Sequence, residues 1–344
     1  MTFQLNLLPT AIGSLPHPDP ITACRAIIDA FPQVPIWPQL PKRSFQENMY
    51  VQYSEGFPGV VLDHAAGRIY VDRAQDLTPA LERLYTAYLE SDLDFAAISP
   101  AYAAGLAALP TVLRDAPPPL ALKGQVTGPI SWGLTVVDQD RRPTLYDDIL
   151  ADAIARHLHL KAAWQEQQLR RLCPTVITFV DEPYLSAFGS AFVAVSREQV
   201  ITLLEEVFAG IQGLKGVHCC GNTDWSILLE TSVDILNLDA YDYAGSLALY
   251  PDAVRAFLRR GGVIAWGISP NQDDLIAQET VASLTDRLEA ALELLIQKGI
   301  PREDLVAAMM ITPSCGLGGM SQAAAERVLM LTAGVAAEMQ RRYR

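Results

Sequence analysis

Cysteine, positive charge and long apolar segments are all scarce in this chain of 344 residues. Its five cysteines are too few and too scattered for the disulfide framework that is typical of small secreted domains. No run of about 20 apolar residues could span a membrane, and the N-terminus lacks a signal-peptide pattern. We therefore expect a cytoplasmic protein with no membrane partner.

Basic residues are outnumbered by acidic ones, since 26 Lys and Arg against 39 Asp and Glu give a formal net charge of −13. Nucleic-acid binding needs clustered positive charge, so we expect no nucleic-acid partner. Half of the residues are hydrophobic and 19% are charged, which indicates a folded globular protein. No linker rich in glycine or serine divides the chain, and we expect residues 1–344 to form a single domain.

Short apolar runs alternate with amphipathic segments, which is the pattern of a parallel sheet whose strands are connected by helices. The eight candidate strands are residues 10–14, 34–39, 120–127, 176–181, 217–220, 234–239, 263–268 and 309–312. The clearest helices are residues 80–90, 145–172, 197–211, 254–260, 280–298 and 322–341. Two β-type runs, 59–63 and 67–71, predict a β-hairpin inserted after the second strand. The predicted fold class is α/β, as a single (β/α)₈ TIM barrel.

In such barrels the active site lies at the carboxyl ends of the strands. His218 and Cys220 close the fifth predicted strand and face the same side of it, because they are two residues apart. Imidazole and thiolate are zinc ligands, and Cys315 would add a second sulfur and Asp239 an oxygen. On the residues alone, buried cysteines and a hydrogen-bonded core histidine remain the alternative to a zinc site.

Five motifs, taken in chain order, resemble the C-terminal catalytic domain of cobalamin-independent methionine synthase. They are Ile12-Gly13-Ser14-Leu15-Pro16, Thr127-Gly128-Pro129, Asp181-Glu182-Pro183, His218-x-Cys220 and Pro313-Ser314-Cys315-Gly316-Leu317. The stretch from Glu47-Asn48-Met49 to Gly56-Phe57 resembles the same family. The similarity, over roughly residues 10–335, is that of a short single-barrel member of the uroporphyrinogen decarboxylase and methionine synthase-like superfamily.

The resemblance implies a TIM barrel with a Zn²⁺ ion held by His218, Cys220 and Cys315. The family's fourth ligand is a glutamate on the following strand. This sequence offers Asp239 there, with Glu230 as a less favoured substitute.

The resemblance also implies how a substrate is held. Ser14 and the backbone of Ile12 match the positions that hold an amino-acid carboxylate, and Asp181, our candidate catalytic residue, matches the group that binds the ammonium. Gln39 stands where we expect the family's second ammonium-binding glutamate, and Met49 matches a methionine that lines the pocket. The implied activity is S-methylation of homocysteine, or of a related small thiol, to form methionine.

The methyl donor is the point at which the sequence departs from the family. After the last cysteine, residues 316–320 read Gly-Leu-Gly-Gly-Met, where the family has a basic and polar continuation near its folate site. The second, N-terminal barrel that helps the family bind folate has no counterpart in this sequence. We therefore expect a methylcorrinoid protein as the donor. The alternatives are another thiol substrate, such as coenzyme M, and a zinc- or corrinoid-binding module without turnover.

Overall fold

The computed structural model describes residues 5–190 and 193–344, and ten strands form two sheets within these ranges. The strands are β1 (Leu8–Pro9), β2 (Val60–Asp63), β3 (Arg68–Val71), β4 (Leu122–Thr127), β5 (Val137–Asp138), β6 (Val176–Asp181), β7 (Leu214–Cys219), β8 (Ile235–Asp239), β9 (Val263–Ser269) and β10 (Met309–Pro313). Seven of them form a curled parallel sheet in the order β1-β10-β9-β8-β7-β6-β4. The fold is therefore α/β and TIM-like.

Helices connect the strands and pack on the outside of the sheet. They are α1 (Pro20–Ala30), α2 (Thr78–Glu90), α3 (Ala104–Leu113), α4 (Pro129–Thr135), α5 (Asp148–Arg170), α6 (Arg197–Ala209), α7 (Trp225–Glu230), α8 (Ala240–Leu247), α9 (Pro251–Arg259), α10 (Asp273–Gln278), α11 (Val281–Ile296), α12 (Arg302–Ala307) and α13 (Gln322–Tyr343). Polar caps begin the long ones: the side chains of Asp147, Ser196 and Ser321 accept from backbone amides of α5, α6 and α13. None of the described helices is long and apolar enough to cross a membrane.

The strands of the large sheet are buried on both faces, as a parallel sheet covered by helices requires. Side chains of one face fill the interior of the curled sheet in an apolar cluster, which comprises Leu5, Leu8, Val34, Ala121, Ile177, Phe179, Ile235, Ala265 and Met310. The other face packs against the helices. Catalytic groups can therefore occupy only the open end above this plug, where the strands terminate.

The predicted eight-stranded closed barrel needs correction at one place, since the sheet is open between β1 and β4. Residues 34–39, predicted as the second strand, lie in the opening and make only single bridges, Ser14 with Gln39 and Ile36 with Lys123. Residues 10–14, predicted as the first strand, belong to no strand either: the ladder with β10 covers Leu8–Pro9, just before them, and Ser14 makes a single bridge. The physical reason for the second strand is that Pro35 and Pro38 have no N–H to donate to a ladder.

Side chains supply the hydrogen bonds that the ladder lacks in this opening. Gln165 reaches from α5 and accepts from the indole of Trp37 at 2.7 Å and from the amide of Gln125 at 2.9 Å. Its own amide donates to the Gln125 carbonyl at 2.8 Å, and Gln125 Nε2 donates to the Trp37 carbonyl at 3.2 Å. Gly124 makes this approach possible, because a Cβ there would lie 2.0 Å from Gln165 Oε1.

A smaller sheet of three strands covers residues for which the sequence predicts a hairpin. β2 and β3 pair antiparallel, with Val60 opposite Val71, and β5 adds to β3 in parallel. Gly67 has φ +59° in the connecting turn, a backbone conformation that glycine adopts without strain. The assignment of residues 1–344 to a single domain stays a prediction.

We expect Gln165→Ala to destabilise the protein by about 2–4 kcal/mol, because it leaves the buried Trp37 indole and Gln125 backbone without partners. Urea unfolding measures this change in the free energy of unfolding. Gln167→Ala, an exposed position on the same helix, is the matched control, with an expected change below about 0.5 kcal/mol. Equal effects of the two substitutions would contradict this role of Gln165.

Candidate metal and substrate site

A cavity of about 380 Å³ opens where the carboxyl ends of β6, β7 and β10 meet the segments that follow Ala11 and Pro38. It brings together eight of the nine side chains predicted from the sequence, namely Ile12, Ser14, Gln39, Met49, Asp181, His218, Cys220 and Cys315. Residues more than 300 positions apart thus share one wall, because parallel strands of a curled sheet end at the same rim.

Three of these side chains can converge on one metal ion. One ligand atom each from His218, Cys220 and Cys315 lies within 4.8 Å of the others, and no other such group occurs in the described ranges. The buried Cys219 points the other way, because side chains alternate along β7. Two sulfurs and an imidazole nitrogen are soft and borderline donors, which suit zinc better than magnesium or calcium.

Asn237 of β8 fixes the protonation of the His218 ring. Its Nδ2 donates to the Ala265 carbonyl and to Thr312 Oγ1, both at 2.8 Å, so its Oδ1 must be the acceptor facing His218 Nδ1. Nδ1 therefore carries the proton, and the lone pair of Nε2 is free. Nε2 is buried and has no hydrogen-bond partner in the described chain. A buried imidazole nitrogen whose lone pair has no hydrogen-bond donor is suited to bind a metal ion.

The thiol of Cys220 is the one that loses its proton first. A hydrogen bond from Cys315, together with His218, lowers the pKa of Cys220 to about 4 although burial opposes this. The same hydrogen bond and burial raise the pKa of Cys315. Cys220 is therefore the more acidic of the two thiols, and the thiolate is the form that binds a metal ion.

Asp181 lies at the end of β6, directly opposite His218 in the ladder with β7. The side chain is buried, its Oδ1 has no hydrogen-bond partner in the described chain, and burial raises its pKa to about 6. The nearby His218 and Lys123 lower this pKa, and Cys220 raises it. An unpartnered carboxylate oxygen aimed at a cavity is a ready acceptor for a cationic group.

Ser14 is fixed against the loop that carries Cys315. Its carbonyl accepts from the amide of Leu317 at 2.8 Å, and its hydroxyl accepts from the amide of Gly318 at 3.2 Å. This approach requires glycine, because a Cβ at Gly316 would lie 2.3 Å from Ser14 Oγ. The turn after Cys315 thus connects this candidate metal ligand to Ser14.

Gln39 and Met49 line the same cavity but are held differently. Gln39 Nε2 donates to Gln52 Oε1 at 2.6 Å and to the hydroxyl of Tyr53 at 3.2 Å, so this amide is occupied by the protein. The Met49 carbonyl accepts from Thr127 Oγ1 at 2.6 Å, which leaves the thioether free to pack.

Asp239 lies outside the group of three. It ends β8, and its Oδ1 caps α8 by accepting from the amide of Asp242 at 3.1 Å. Burial raises its pKa to about 6, and the charge of nearby Cys220 adds to this. Its role as the fourth ligand stays a prediction. The substitute, Glu230, is largely exposed and pairs with Arg197 at 2.5 Å.

Glu182 belongs to the scaffold of the site. Its carboxylate accepts from the amides of Ile130 and Ser131 at 2.9 and 2.7 Å and from the Ser131 hydroxyl at 2.6 Å, and so it fixes the start of α4. Burial raises the pKa of this carboxyl to about 7. Gly128 must be glycine, because a Cβ there would lie 2.2 Å from the carboxylate.

Sequence reasoning missed Asn237, Lys123 and Glu47. Asn237 interrupts the apolar residues of β8, and this interruption is the signal that could have identified it. Lys123 shares β4 with Gln125 and Thr127, so it is not distinguished in this way. Glu47 is buried and lines the cavity, where it accepts from the Leu40 amide at 3.0 Å and from Arg43 at 2.8 Å. No pattern in the sequence indicates that contact.

We expect Asp181→Asn to stabilise the metal-free protein by about 1–3 kcal/mol at pH 8, because the raised pKa means that folding disfavours the charged carboxylate. The wild type regains this stability as the pH falls from about 6 towards 3.8, the ordinary value, since folded and unfolded forms are then both protonated. Urea unfolding at pH 8 and pH 4 measures the difference. A variant that is less stable than the wild type at pH 8 would contradict this electrostatic reading.

No family model and no curated protein sequence matches the chain. Solved structures do match: a B12-independent methionine synthase from Shewanella sp. W3-18-1 in complex with selenomethionine is 16% identical, with a TM-score of 0.60 and 98% of each chain covered. A methyltransferase from Methanosarcina mazei is 12% identical, with a TM-score of 0.61 over 100% of this chain and 96% of the other. A putative vitamin-B12 independent methionine synthase from Listeria monocytogenes is 13% identical, with a TM-score of 0.57 over 93% and 85%. The chain therefore shares the fold of these proteins.

Proposed function

We propose that the protein is a zinc-dependent S-methyltransferase that forms methionine from homocysteine. The observation that carries the proposal is the convergence of His218, Cys220 and Cys315 within 4.8 Å, on the wall of a cavity that also contains Asp181 and Ser14. The shared fold with a methionine synthase and a methyltransferase supports the same activity.

The residues present fit Zn²⁺. His218 Nε2 is a buried, unpartnered nitrogen, and the two sulfurs lie within reach of the same point. When bound, zinc would supply Lewis acidity that lowers the pKa of a substrate thiol and keeps its sulfur nucleophilic. We assign the three protein ligands to these residues and keep Asp239 as the proposed fourth, which would have to share its carboxylate with the cap of α8.

The chain's own groups orient the amino-acid end of the substrate. Asp181 Oδ1, which lacks a protein donor, would accept from the ammonium group. Ser14 and the backbone of Ile12, on the neighbouring wall, would hold the carboxylate. Fixing both ends of the substrate aligns its sulfur for in-line attack on a methyl group and removes most of the entropic cost of bringing the reactants together.

The cavity favours a donor without negative charge. No lysine or arginine lines it, and the turn after Cys315 consists of glycines and apolar residues. Among the described lining residues a polyglutamylated folate would find no cationic partner, and the neighbouring Lys42 and Arg43 are engaged by the Met320 carbonyl and by Glu47. A methylcorrinoid protein, in contrast, presents a neutral methyl group. We therefore propose a methylcorrinoid protein as the physiological donor.

Zinc content and thiol binding of protein purified without chelator test the proposal. We expect about one zinc per chain and a change in the zinc–sulfur X-ray absorption when homocysteine is added. Cys315→Ser should remove the zinc and abolish methionine formation, whereas the buried Cys173→Ser, with its thiol on the Pro119 carbonyl at 3.6 Å, should change neither. A chain that takes up no zinc after anaerobic reconstitution would overturn the proposal.

Assays on the same purified protein distinguish the two methyl donors and the alternative functions. Methionine formed from methylcobalamin but not from methyltetrahydrofolate is the expected result. Stronger competition by coenzyme M than by homocysteine would assign another thiol. Zinc binding with no methyl transfer from either donor would identify a module without turnover.

We also expect Asn237→Ala to weaken Zn²⁺ binding by about 10–100-fold, because the His218 ring loses the acceptor that fixes its tautomer. Competition with a chromophoric chelator measures this affinity. Asn222→Ala, at an exposed position after β7, is the control and should leave the affinity unchanged. Equal affinities for Asn237→Ala and the wild type would contradict the role of Asn237.

A further inference from the structure

Lys123 is a buried lysine beside the site, and the proposed reaction assigns it no role. Its side chain extends from β4 into the interior of the curled sheet and is 0% exposed. Nζ donates to the carbonyl of Ile12 and lies 4.2 Å from the ring centroid of Phe179. An ammonium group has three donors, and within the described chain only the Ile12 carbonyl accepts from this one.

An apolar residue would fill this position at lower cost. The neighbouring interior side chains, Ile177 and Phe179 among them, are apolar, and replacing a buried charge by an apolar group is often neutral or stabilising. Burial lowers the pKa of Lys123 to about 8, and the charge of Asp181 opposes that shift. The feature that distinguishes a lysine from a methionine here is therefore its charge and its hydrogen bond to Ile12.

The Ile12 peptide that Lys123 holds belongs to the cavity wall. Ile12 and Ser14 line the cavity, and the backbone amides of residues 12–14 have no acceptor in the described ranges. A hydrogen bond to a peptide carbonyl polarises the peptide and strengthens it as a donor. The bond from Lys123 therefore holds this segment from behind and polarises the peptide whose N–H belongs to Gly13, between the two lining residues.

Positive charge is otherwise missing from the cavity wall. Among the described lining residues, Asp181 and two cysteines supply the negative groups, Glu47 is paired with Arg43 at 2.8 Å, and His218 is the basic side chain. A substrate carboxylate entering this cavity would meet negative neighbours. A cation directly behind Ile12 offsets that repulsion without touching the substrate, since charges interact strongly where water is excluded.

We propose that Lys123 is a positioning residue that enables the cavity to accept the carboxylate of a zwitterionic thiol, by fixing the Ile12–Gly13 peptide and placing positive charge behind it. The inference rests on the proposed function and narrows its substrate class to amino-acid thiols. A thiol that carries an amine but no carboxylate has no need of Lys123.

Two neutral variants test the inference. Lys123→Met removes the charge and the donor, whereas Lys123→Gln removes the charge and keeps a donor for the Ile12 carbonyl. The matched control is Lys161→Met, because Lys161 is also fully buried, donates to the Ala97 carbonyl at 3.2 Å and lies outside the cavity. Titration calorimetry of the zinc-loaded proteins gives the Kd of homocysteine and of 3-mercaptopropylamine, its analogue without the carboxylate.

We expect both Lys123 variants to bind homocysteine about tenfold more weakly while the Kd of 3-mercaptopropylamine changes less than about twofold. Zinc content should stay at the wild-type level in both. Lys161→Met should leave both Kd values unchanged even where it lowers stability. Equal losses for the two thiols, or no loss for either, would overturn the inference.

If neither Lys123 variant folds, the affinities of the wild-type protein for the two thiols test the inference. The inference then requires homocysteine to bind at least about tenfold more tightly than 3-mercaptopropylamine, and equal affinities overturn it. A zinc-loaded wild type that binds neither thiol is a different result. It overturns the proposed function, and with it this inference.

Discussion

Two prolines in residues 34–39 impose the constraint on which the site depends. Pro35 and Pro38 cannot donate to a ladder, so the curled sheet has no continuous pairing between β1 and β4. The opening is spanned by isolated backbone hydrogen bonds of Pro35, Trp37 and Gln39. The side chains of Gln165, Gln125 and Lys123 add hydrogen bonds to this segment and its neighbour. Side-chain bonds can be placed where function needs them, whereas a ladder fixes every residue of a strand.

These isolated backbone bridges leave Ser14 and Gln39 at the rim of the cavity. Ser14 is bridged to Gln39, and its carbonyl and hydroxyl are held by the loop that carries Cys315. The backbone of residues 12–14 is thus supported from two sides while its amides stay without protein acceptors. A regular second strand would have paired this segment more fully and left less of it available to a ligand.

Burying polar groups inside the sheet lowers the free energy of unfolding, and their arrangement in pairs reduces this loss. Asp181 is opposite His218 in the ladder, His218 is held by Asn237, and the charge of Lys123 favours ionised Asp181. Each charge is thereby compensated within the site, although Asp181 Oδ1 and His218 Nε2 lack hydrogen-bond partners in the described chain. The two unpartnered atoms are those that the proposed substrate and metal would satisfy, and an apolar plug below them makes their exclusion from water possible.

The sequence predicted correctly those strands that are buried on both faces, because such strands appear as short continuous apolar runs. The run 176–181 is observed as β6 at the same bounds, and the later predicted strands coincide with β7 to β10 within a few residues. The strand prediction failed where the formation of a ladder depends on the neighbouring segment, as for residues 10–14 and 34–39. For the site, strand ends predicted which residues gather in the cavity. They could not distinguish a ligand from a helix cap, because an acidic residue between a strand and a helix suits both, and Asp239 caps α8.

The turn that joins Cys315 to Ser14 fixes how far apart these two residues lie. Two backbone amides of the glycine-rich turn bind Ser14, at 2.8 and 3.2 Å, and the turn follows Cys315 directly. A metal held by Cys315 and a carboxylate held at Ser14 would thus be tied to one short piece of backbone, whose close contacts exclude side chains at Gly316 and Gly318. The separation between a metal at Cys315 and a group bound at Ser14 would then be set by this turn, because its backbone cannot shift without breaking the contacts to Ser14.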